Sequence, residues 1–131
     1  MAITLNDKLF QFALLRYIHS PETQEFINVG VVVFSWEAGF VKAKMNKSPE
    51  RAQRTWKGVK GDCYTQILEF IENRINTELR PAPMSLRGWL SAFVMAEDDS
   101  SLVFGGFGGG ASDNLDETLE RLYNNLVVKY L

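Results

Sequence analysis

One short stretch, residues 26–34, is almost wholly apolar, and Asn28 and Gly30 are its only interruptions. The stretch is too short for a buried helix and rich in β-branched residues, so it predicts a strand buried on both faces. A glycine inside a central strand usually marks a bulge or the close approach of another backbone. We therefore expect the sheet of this protein to be organised around these residues.

Two flanking stretches also predict strands. Along residues 9–18 the side chains alternate, with Phe10, Phe12, Leu14 and Arg16 on one face and Gln11, Ala13, Leu15 and Tyr17 on the other. Because residues 19–24 have turn chemistry, the first two strands are expected to pair as an antiparallel hairpin. Residues 40–45 carry Lys42 and Lys44, which suits a third strand near a sheet edge.

The second half of the chain has helical periodicity. Over residues 61–80 the spacing predicts one helix with a single buried stripe, formed by Tyr64, Ile67, Leu68, Ile71, Ile75 and Leu79. Shorter helices are predicted over residues 49–58, with Ser48 as the N-cap, and over residues 85–96. A last helix, capped by Ser112 or Asp113, would bury Leu115, Leu119, Leu122, Tyr123, Leu126 and Val127.

Between these helices, residues 101–104 predict a fourth strand. Residues 105–111 predict a glycine-rich loop, with a flexible part formed by Gly105, Gly106, Phe107 and Gly108. Together the elements predict an α+β fold in a single domain over residues 1–131. It would contain an antiparallel sheet of three to four strands with about three helices packed on it.

Composition narrows the chemistry. A single cysteine, Cys63, excludes an internal disulfide and the cysteine-rich zinc motifs, and a single histidine, His19, excludes paired-histidine metal sites. No apolar run approaches the roughly 18 residues of a membrane span, and residues 1–9 lack the apolar core of a signal peptide. We therefore expect a soluble cytoplasmic protein with no metal, no cofactor and no membrane partner.

The predicted hairpin carries Arg16 and Tyr17, then Pro21, then the run Glu-Phe-Ile-Asn-Val-Gly-Val-Val over residues 25–32. This pattern resembles the opening of a bacterial domain family of unknown function, DUF3037, and residues 119–128 are similar to its closing segment. Some members of that family sit beside kinase-like toxin genes of the HipA type. The resemblance implies a cytoplasmic bacterial protein that is an accessory to a partner, and it implies no activity.

The first candidate site is a polar cluster formed by Arg16, Tyr17, Glu25 and Asn28. If the hairpin turns near residue 22, Arg16 and Glu25 lie close together across it. One interpretation is a site for an anion or a small polar ligand, or the basis of an enzyme. The other is structural, with an Arg–Glu pair that satisfies itself and fixes strand register. No serine, cysteine or histidine is placed to form a nucleophile–base pair with the cluster.

The second candidate site is a basic stretch. Half of the fourteen basic residues lie within residues 42–60, and together with one tryptophan they form the set Lys42, Lys44, Lys47, Arg51, Arg54, Trp56, Lys57 and Lys60. Such a patch favours nucleic acid, with Lys47, Arg51 and Arg54 on one helix face and Trp56 as a stacking surface. A solvated face or a dock for an acidic protein explains it equally well, since the net charge of the chain is −2.

Basic and acidic residues are also unevenly divided along the chain. Residues 1–60 hold nine basic and five acidic side chains, whereas residues 61–131 hold five basic and eleven acidic ones. This asymmetry hints at a partner surface. The glycine-rich stretch precedes a helix, as phosphate loops do, but it has no GxxxxGK[ST] pattern and no following lysine. A connector, or a loop that closes on a partner, is the more economical interpretation.

The leading hypothesis is a non-enzymatic interaction module that binds a protein partner, with a kinase-like toxin as one candidate, in a toxin–antitoxin or phage-defence setting. Nucleic-acid binding through residues 42–60 is the alternative. A small-molecule or anion site at Arg16, Glu25 and Asn28 is the third hypothesis. Assembly into a homo-oligomer through Phe107 or residues 127–131 is a further option.

Overall fold

A four-stranded antiparallel sheet forms the centre of the computed structural model, which describes residues 6–20, 22–95 and 101–131. Its strands are β1 (Lys8–Ile18), β2 (Phe26–Ser35), β3 (Phe40–Met45) and β4 (Leu102–Ser112), in the order β3-β2-β1-β4. The helices of the described residues are α1 (Glu50–Thr55), α2 (Gly61–Asn73), α3 (Leu86–Trp89) and α4 (Leu115–Leu126). The predicted α+β fold and the hairpin of β1 and β2 are confirmed.

Helices cover both faces of the sheet, because its two central strands are apolar on both sides. On one face, Ala13 and Leu15 of β1 pack in a core to which α1, α2 and α3 contribute. On the other face, Phe10 and Leu14 pack in a second core with α4. The alternation predicted for the first strand is therefore confirmed. The helices therefore cover the two faces of the sheet and not its two edges.

The second strand contains a bulge beside its glycine, as the sequence predicted. Leu15 of β1 pairs with Gly30, but Arg16 pairs with Asn28, so Val29 is an extra residue in β2. A Cβ on Gly30 would also lie 3.2 Å from the backbone carbonyl oxygen of Lys44 in β3 and would overlap the sulfur of Met45. Both expected roles of this glycine are thus present. The bulge also decides which side chain lies opposite Arg16.

The helix predicted over residues 61–80 is present, but its geometry changes along its length. α2 continues into a π-helical turn, Arg74–Glu78. Most of the predicted stripe is buried or half-buried, whereas Ile67 is 47% exposed and contributes to the outer surface of α2. α3 likewise continues into a π-helical turn, Leu90–Val94, and the chain closes with a 3-10 turn, Val128–Tyr130.

Two helix starts differ from the prediction. α1 begins at Glu50, and its N-cap is Pro49 rather than the predicted Ser48. The hydroxyl of Ser48 accepts a hydrogen bond from the Glu50 amide at 3.4 Å. α4 is capped by Asn114, whose Oδ1 accepts the amide of Glu117 at 3.1 Å. The predicted cap Ser112 is the last residue of β4, and its backbone is paired with β1. The N-cap of α4 therefore lies two residues later, at Asn114.

The glycine-rich stretch is the largest error of the sequence interpretation. The predicted loop residues Gly105, Gly106, Phe107 and Gly108 lie inside β4, which pairs with β1 as far as Ser112. The reason lies in the neighbouring strand. A Cβ on Gly108 would lie 2.5 Å from the Phe12 ring, and one on Gly110 would lie 3.0 Å from the Phe10 ring. The two rings occupy the space that side chains of β4 would need, so glycine is required there.

A bulge interrupts β4 at Gly106, which adopts a φ of +60°. This left-handed conformation favours glycine. Two predicted features, Pro21 in the first turn and the helix end at Ala96, lie outside the described residues. None of the helices in the described part of the chain combines the length and the hydropathy needed to cross a membrane.

Candidate functional site

Arg16 and Asn28 lie side by side on the sheet face that α4 covers. They are direct cross-strand partners, because the bulge in β2 places them opposite each other. Asn28 Nδ2 donates to the carbonyl of Leu126 at the end of α4, at 3.2 Å. The guanidinium of Arg16 lies over the Phe26 ring, 4.4 Å from its centroid. The sheet and the end of α4 therefore hold both polar side chains in defined positions.

The glycines of β4 make room for the Arg16 side chain. A Cβ on Gly105 would lie 2.8 Å from Arg16 Nη1, and one on Gly106 would lie 3.0 Å from Nη2. Arg16 Nε and Asn28 Oδ1 are buried and have no hydrogen-bond partner in the described residues. One is a donor and the other an acceptor, and leaving such atoms unpaired is costly. A small polar ligand at this position stays a prediction.

The other members of the predicted polar cluster lie elsewhere. Tyr17 faces the opposite side of the sheet from Arg16, where it packs against Tyr64. Glu25 is exposed and forms no ion pair with Arg16 within the described residues. Since Arg16 is opposite Asn28, Glu25 lies three residues further toward the turn. The expected pairing of Arg16 with Glu25 across the hairpin is therefore wrong.

Four aromatic rings cluster where the end of β1 meets α1 and α2. His19 and Trp56 are stacked, with planes 9° apart and centroids 5.1 Å apart. Tyr17 contacts Trp56 at 5.8 Å and Tyr64 at 5.3 Å between centroids. The Tyr17 hydroxyl lies 3.1 Å from His19 Nδ1. Sequence spacing gave no signal for this cluster, because its members come from separate elements.

The inner part of the aromatic cluster is weakly solvated. Burial raises the pKa of Tyr64 to about 12; the neighbouring Tyr17 adds to the rise and the charge of Arg51 opposes it. Burial also raises the pKa of Tyr17. Both phenols are therefore neutral at physiological pH.

Three lysines of the basic stretch are neutralised by acids of other elements. Lys42 pairs with Asp116 at 2.9 Å and Lys44 with Glu120 at 2.7 Å, both on α4. Lys47 pairs with Glu72 of α2 at 2.9 Å. Lys47 also precedes α1, so the expectation that it shares a helix face with Arg51 and Arg54 is wrong. Lys42 and Lys44 connect β3 to α4, and Lys47 connects the segment after β3 to α2, so these three lysines do not form one open patch.

The outer edge of β3 is closed by side chains. Asn76 spans the backbone of Ala43: its Oδ1 accepts the Ala43 amide at 2.7 Å and its Nδ2 donates to the Ala43 carbonyl at 3.0 Å. Glu72 accepts the amide of Met45 at 2.8 Å. These side chains make the bonds that a further strand would make. Sequence reasoning missed them, because polar residues at the end of an amphipathic helix carry no distinguishing pattern.

The outer edge of β4, in contrast, shows no such closure by described side chains between Val103 and Ala111. From Val103 to Ala111, β1 is the only described element whose backbone or side chains hydrogen-bond to β4. The strand contains no charged residue and no proline. Natural proteins usually protect such edges with charge, proline or covering elements. This edge is interrupted by the bulge at Gly106, and the guanidinium of Arg87 lies 5.6 Å from the centroid of the Phe107 ring, but no described side chain bonds to its outer backbone groups between Val103 and Ala111.

Cavities lie at both ends of β4. At its start, a groove of about 430 Å³ is lined by Leu102 together with Cys63, Ile67 and Met95. At its end, an open cavity of about 810 Å³ is lined by Gly109, Gly110 and Ala111 and by residues of the turn between β2 and β3, including the exposed Trp36. In the described residues no three His, Cys, Asp or Glu side chains converge to hold a metal ion.

Comparison with known proteins supplies a family for the chain. The family model described as "Protein of unknown function (DUF3037)" matches residues 12–127. No curated protein and no solved structure matches the chain. Because the matched region covers most of the sequence, the chain belongs to the DUF3037 family, as the hairpin pattern predicted.

Proposed function

We propose that this DUF3037 protein is a cytoplasmic, non-enzymatic interaction module, and that a protein partner adds one of its strands to the open edge of β4. The observation that carries the proposal is the contrast between the two edges of one sheet. The β3 edge is closed by Asn76 and Glu72, whereas the β4 edge has no such protection in the described residues. Strand addition at an exposed edge is a common mode of protein recognition.

The direction of the β4 backbone supports this proposal. The amide of Ile18 donates to the carbonyl of Ser101 at 2.7 Å, which identifies this pair as hydrogen-bonded across β1 and β4. Hydrogen-bonded and non-hydrogen-bonded pairs alternate along an antiparallel ladder. The pair of Leu15 with Phe104 is therefore non-hydrogen-bonded, and the N–H and C=O of Phe104 point away from β1.

The two cavities support the proposal further. In strand addition, main-chain hydrogen bonds supply affinity, and pockets for side chains supply specificity. A strand laid along β4 would reach the 430 Å³ groove at one end and the 810 Å³ cavity at the other. The apolar lining of the groove, with Ile67 and Met95, would accept aliphatic or aromatic side chains of the partner.

The setting we propose is that of an accessory to a kinase-like toxin in a toxin–antitoxin or phage-defence system. It rests on the family resemblance, and the edge geometry supports only the binding mode. The experiment is a pull-down of the tagged protein from native bacterial lysate, with and without nuclease, read by mass spectrometry. We expect a stoichiometric protein partner that survives nuclease treatment.

Two variants locate the binding surface. Phe107→Lys places a charge on β4, where the Phe107 ring is 39% exposed and lies 5.6 Å from the Arg87 guanidinium, and should abolish capture of the partner. Phe70→Lys makes the same change on α2, where Phe70 is 62% exposed, and should leave capture intact. Capture that survives Phe107→Lys would overturn the proposed binding mode. In the purified complex, the amide of Phe104 should become protected from hydrogen exchange.

A further inference from the structure

The ion pairs of the fold divide the basic stretch into two parts. Lys42, Lys44 and Lys47 are neutralised, as described above. The remaining four cations are Arg51, Arg54, Lys57 and Lys60, and no acid of the described residues forms an ion pair with any of them. Tertiary structure thus concentrates the unneutralised positive charge of the stretch on α1 and the loop that follows it.

An aromatic surface lies among these four cations. Trp56 is placed directly after α1 and next to Lys57, and its ring stacks on His19. Both rings are partly exposed. Their positions are fixed from below by Tyr17, which contacts the Trp56 ring and whose hydroxyl is within hydrogen-bond distance of His19. The two rings therefore form a positioned and partly exposed aromatic surface.

The charges and the rings are contiguous. Lys60 lines the same groove as Tyr17 and Tyr64, and the positive charge of Arg51 opposes the rise in the pKa of Tyr64. Arg51 and Arg54 are three residues apart on α1, which places them on neighbouring positions of one helix face. We call His19, Arg51, Arg54, Trp56, Lys57 and Lys60 the Trp56 surface.

We propose that the Trp56 surface binds single-stranded nucleic acid. Cations that track the phosphates and aromatic rings that stack on unpaired bases are the combination that single-strand binding needs. A duplex keeps its bases stacked on one another, so it would gain only the phosphate contacts. An acidic protein would likewise use the cations but not the stacked rings. The presence of the His19–Trp56 stack is what favours the single strand.

The test is fluorescence anisotropy with a labelled oligothymidylate of about 12 nucleotides, within the site sizes of single-strand binding proteins. If the four cations each neutralise one phosphate, a plot of log K against log salt should have a slope of about −3. The triple variant R51A/R54A/K57A should reduce the magnitude of this slope, from about −3 to about −1, since one of the four cations remains.

A matched triple variant controls for net charge. K42A/K44A/K47A removes the three neutralised lysines, so both triple variants change the net charge from −2 to −5. We expect this control to keep the slope and the affinity of the unmodified protein, with folding checked by circular dichroism. Equal weakening by the two triple variants would overturn the proposal, because binding would then follow net charge rather than the Trp56 surface.

The stacking step has its own variants. Trp56→Leu keeps an apolar contact with Tyr17 but removes the planar face, and should weaken binding roughly 5- to 150-fold, as expected for one lost stacked base. Trp36 is 55% exposed and lies at the opposite end of the sheet, so Trp36→Leu should leave the affinity for the oligonucleotide unchanged. Three other results would overturn the proposal: no binding at low salt, duplex bound as tightly as single strand, or equal competition by a polyglutamate peptide, which would indicate an acidic protein.

Discussion

Asn76 closes one edge of the sheet, and replacing it with alanine tests whether that closure stabilises the fold. Its amide group makes two hydrogen bonds to the backbone of Ala43, at 2.7 and 3.0 Å. Ala43 is only 3% exposed, so its N–H and C=O cannot easily exchange these bonds for water. Asn76→Ala leaves both groups without a partner in the described part of the chain.

The expected cost follows from the number of bonds. Each hydrogen bond of this kind contributes about 0.5–1.5 kcal/mol, so the loss of two should lower the free energy of unfolding by about 2 kcal/mol. For a domain of this size that corresponds to a decrease in Tm of roughly 6–8 °C. Asn73→Ala is the matched control, because Asn73 is exposed and its side chain makes no hydrogen bond within the described residues. The change from asparagine to alanine raises the intrinsic helix propensity by a similar amount at both positions, so this effect cancels in the comparison.

Chemical denaturation followed by circular dichroism gives the two free energies of unfolding. The difference between Asn76→Ala and Asn73→Ala should be close to the 2 kcal/mol worked out above. A difference below about 0.5 kcal/mol would refute the reasoning, since it would mean that water replaces both bonds at no cost. Size-exclusion chromatography of Asn76→Ala should also show self-association, because a second sheet edge is then open.

Two further predictions concern packing and pH. Gly108→Ala should lower the free energy of unfolding by about 1–3 kcal/mol, because the new Cβ would lie 2.5 Å from the Phe12 ring. In the Phe12→Leu background the same substitution should cost less, and an unchanged cost would contradict this cause. Because the pKa of Tyr64 is raised from 10.0 to about 12, its stabilising contribution is complete below pH 10 and is lost as the pH rises toward 12. Tyr64→Phe should make the stability curve flatter over that interval, and the same slope in both proteins would contradict it.

Hydrophobic periodicity by itself determined the secondary structure of most of the chain. The strands at residues 9–18, 26–34 and 40–45 and the helix that begins at residue 61 follow from which positions are apolar, since each face must be buried. The double burial of the second strand and the special role of Gly30 were also readable, because a valine-rich run with one glycine has few other solutions.

Local pattern failed where the deciding contact came from a distant part of the chain. Residues 105–111 have loop composition, and they form a strand because Phe10 and Phe12, about a hundred residues earlier, place their rings over the glycines. The partner of Arg16 was likewise set by the bulge in β2, which a simple hairpin count does not contain.

The candidate surfaces were decided by tertiary structure alone. The sequence determined that residues 42–60 are basic, but only the fold shows that acids of α2 and α4 neutralise three of these side chains and leave four unpaired within the described residues. The fold also decided which sheet edge is closed by side chains and which edge is not. The physical reason is common to both cases: charge pairing and edge protection depend on distances between elements, and sequence separation does not encode those distances.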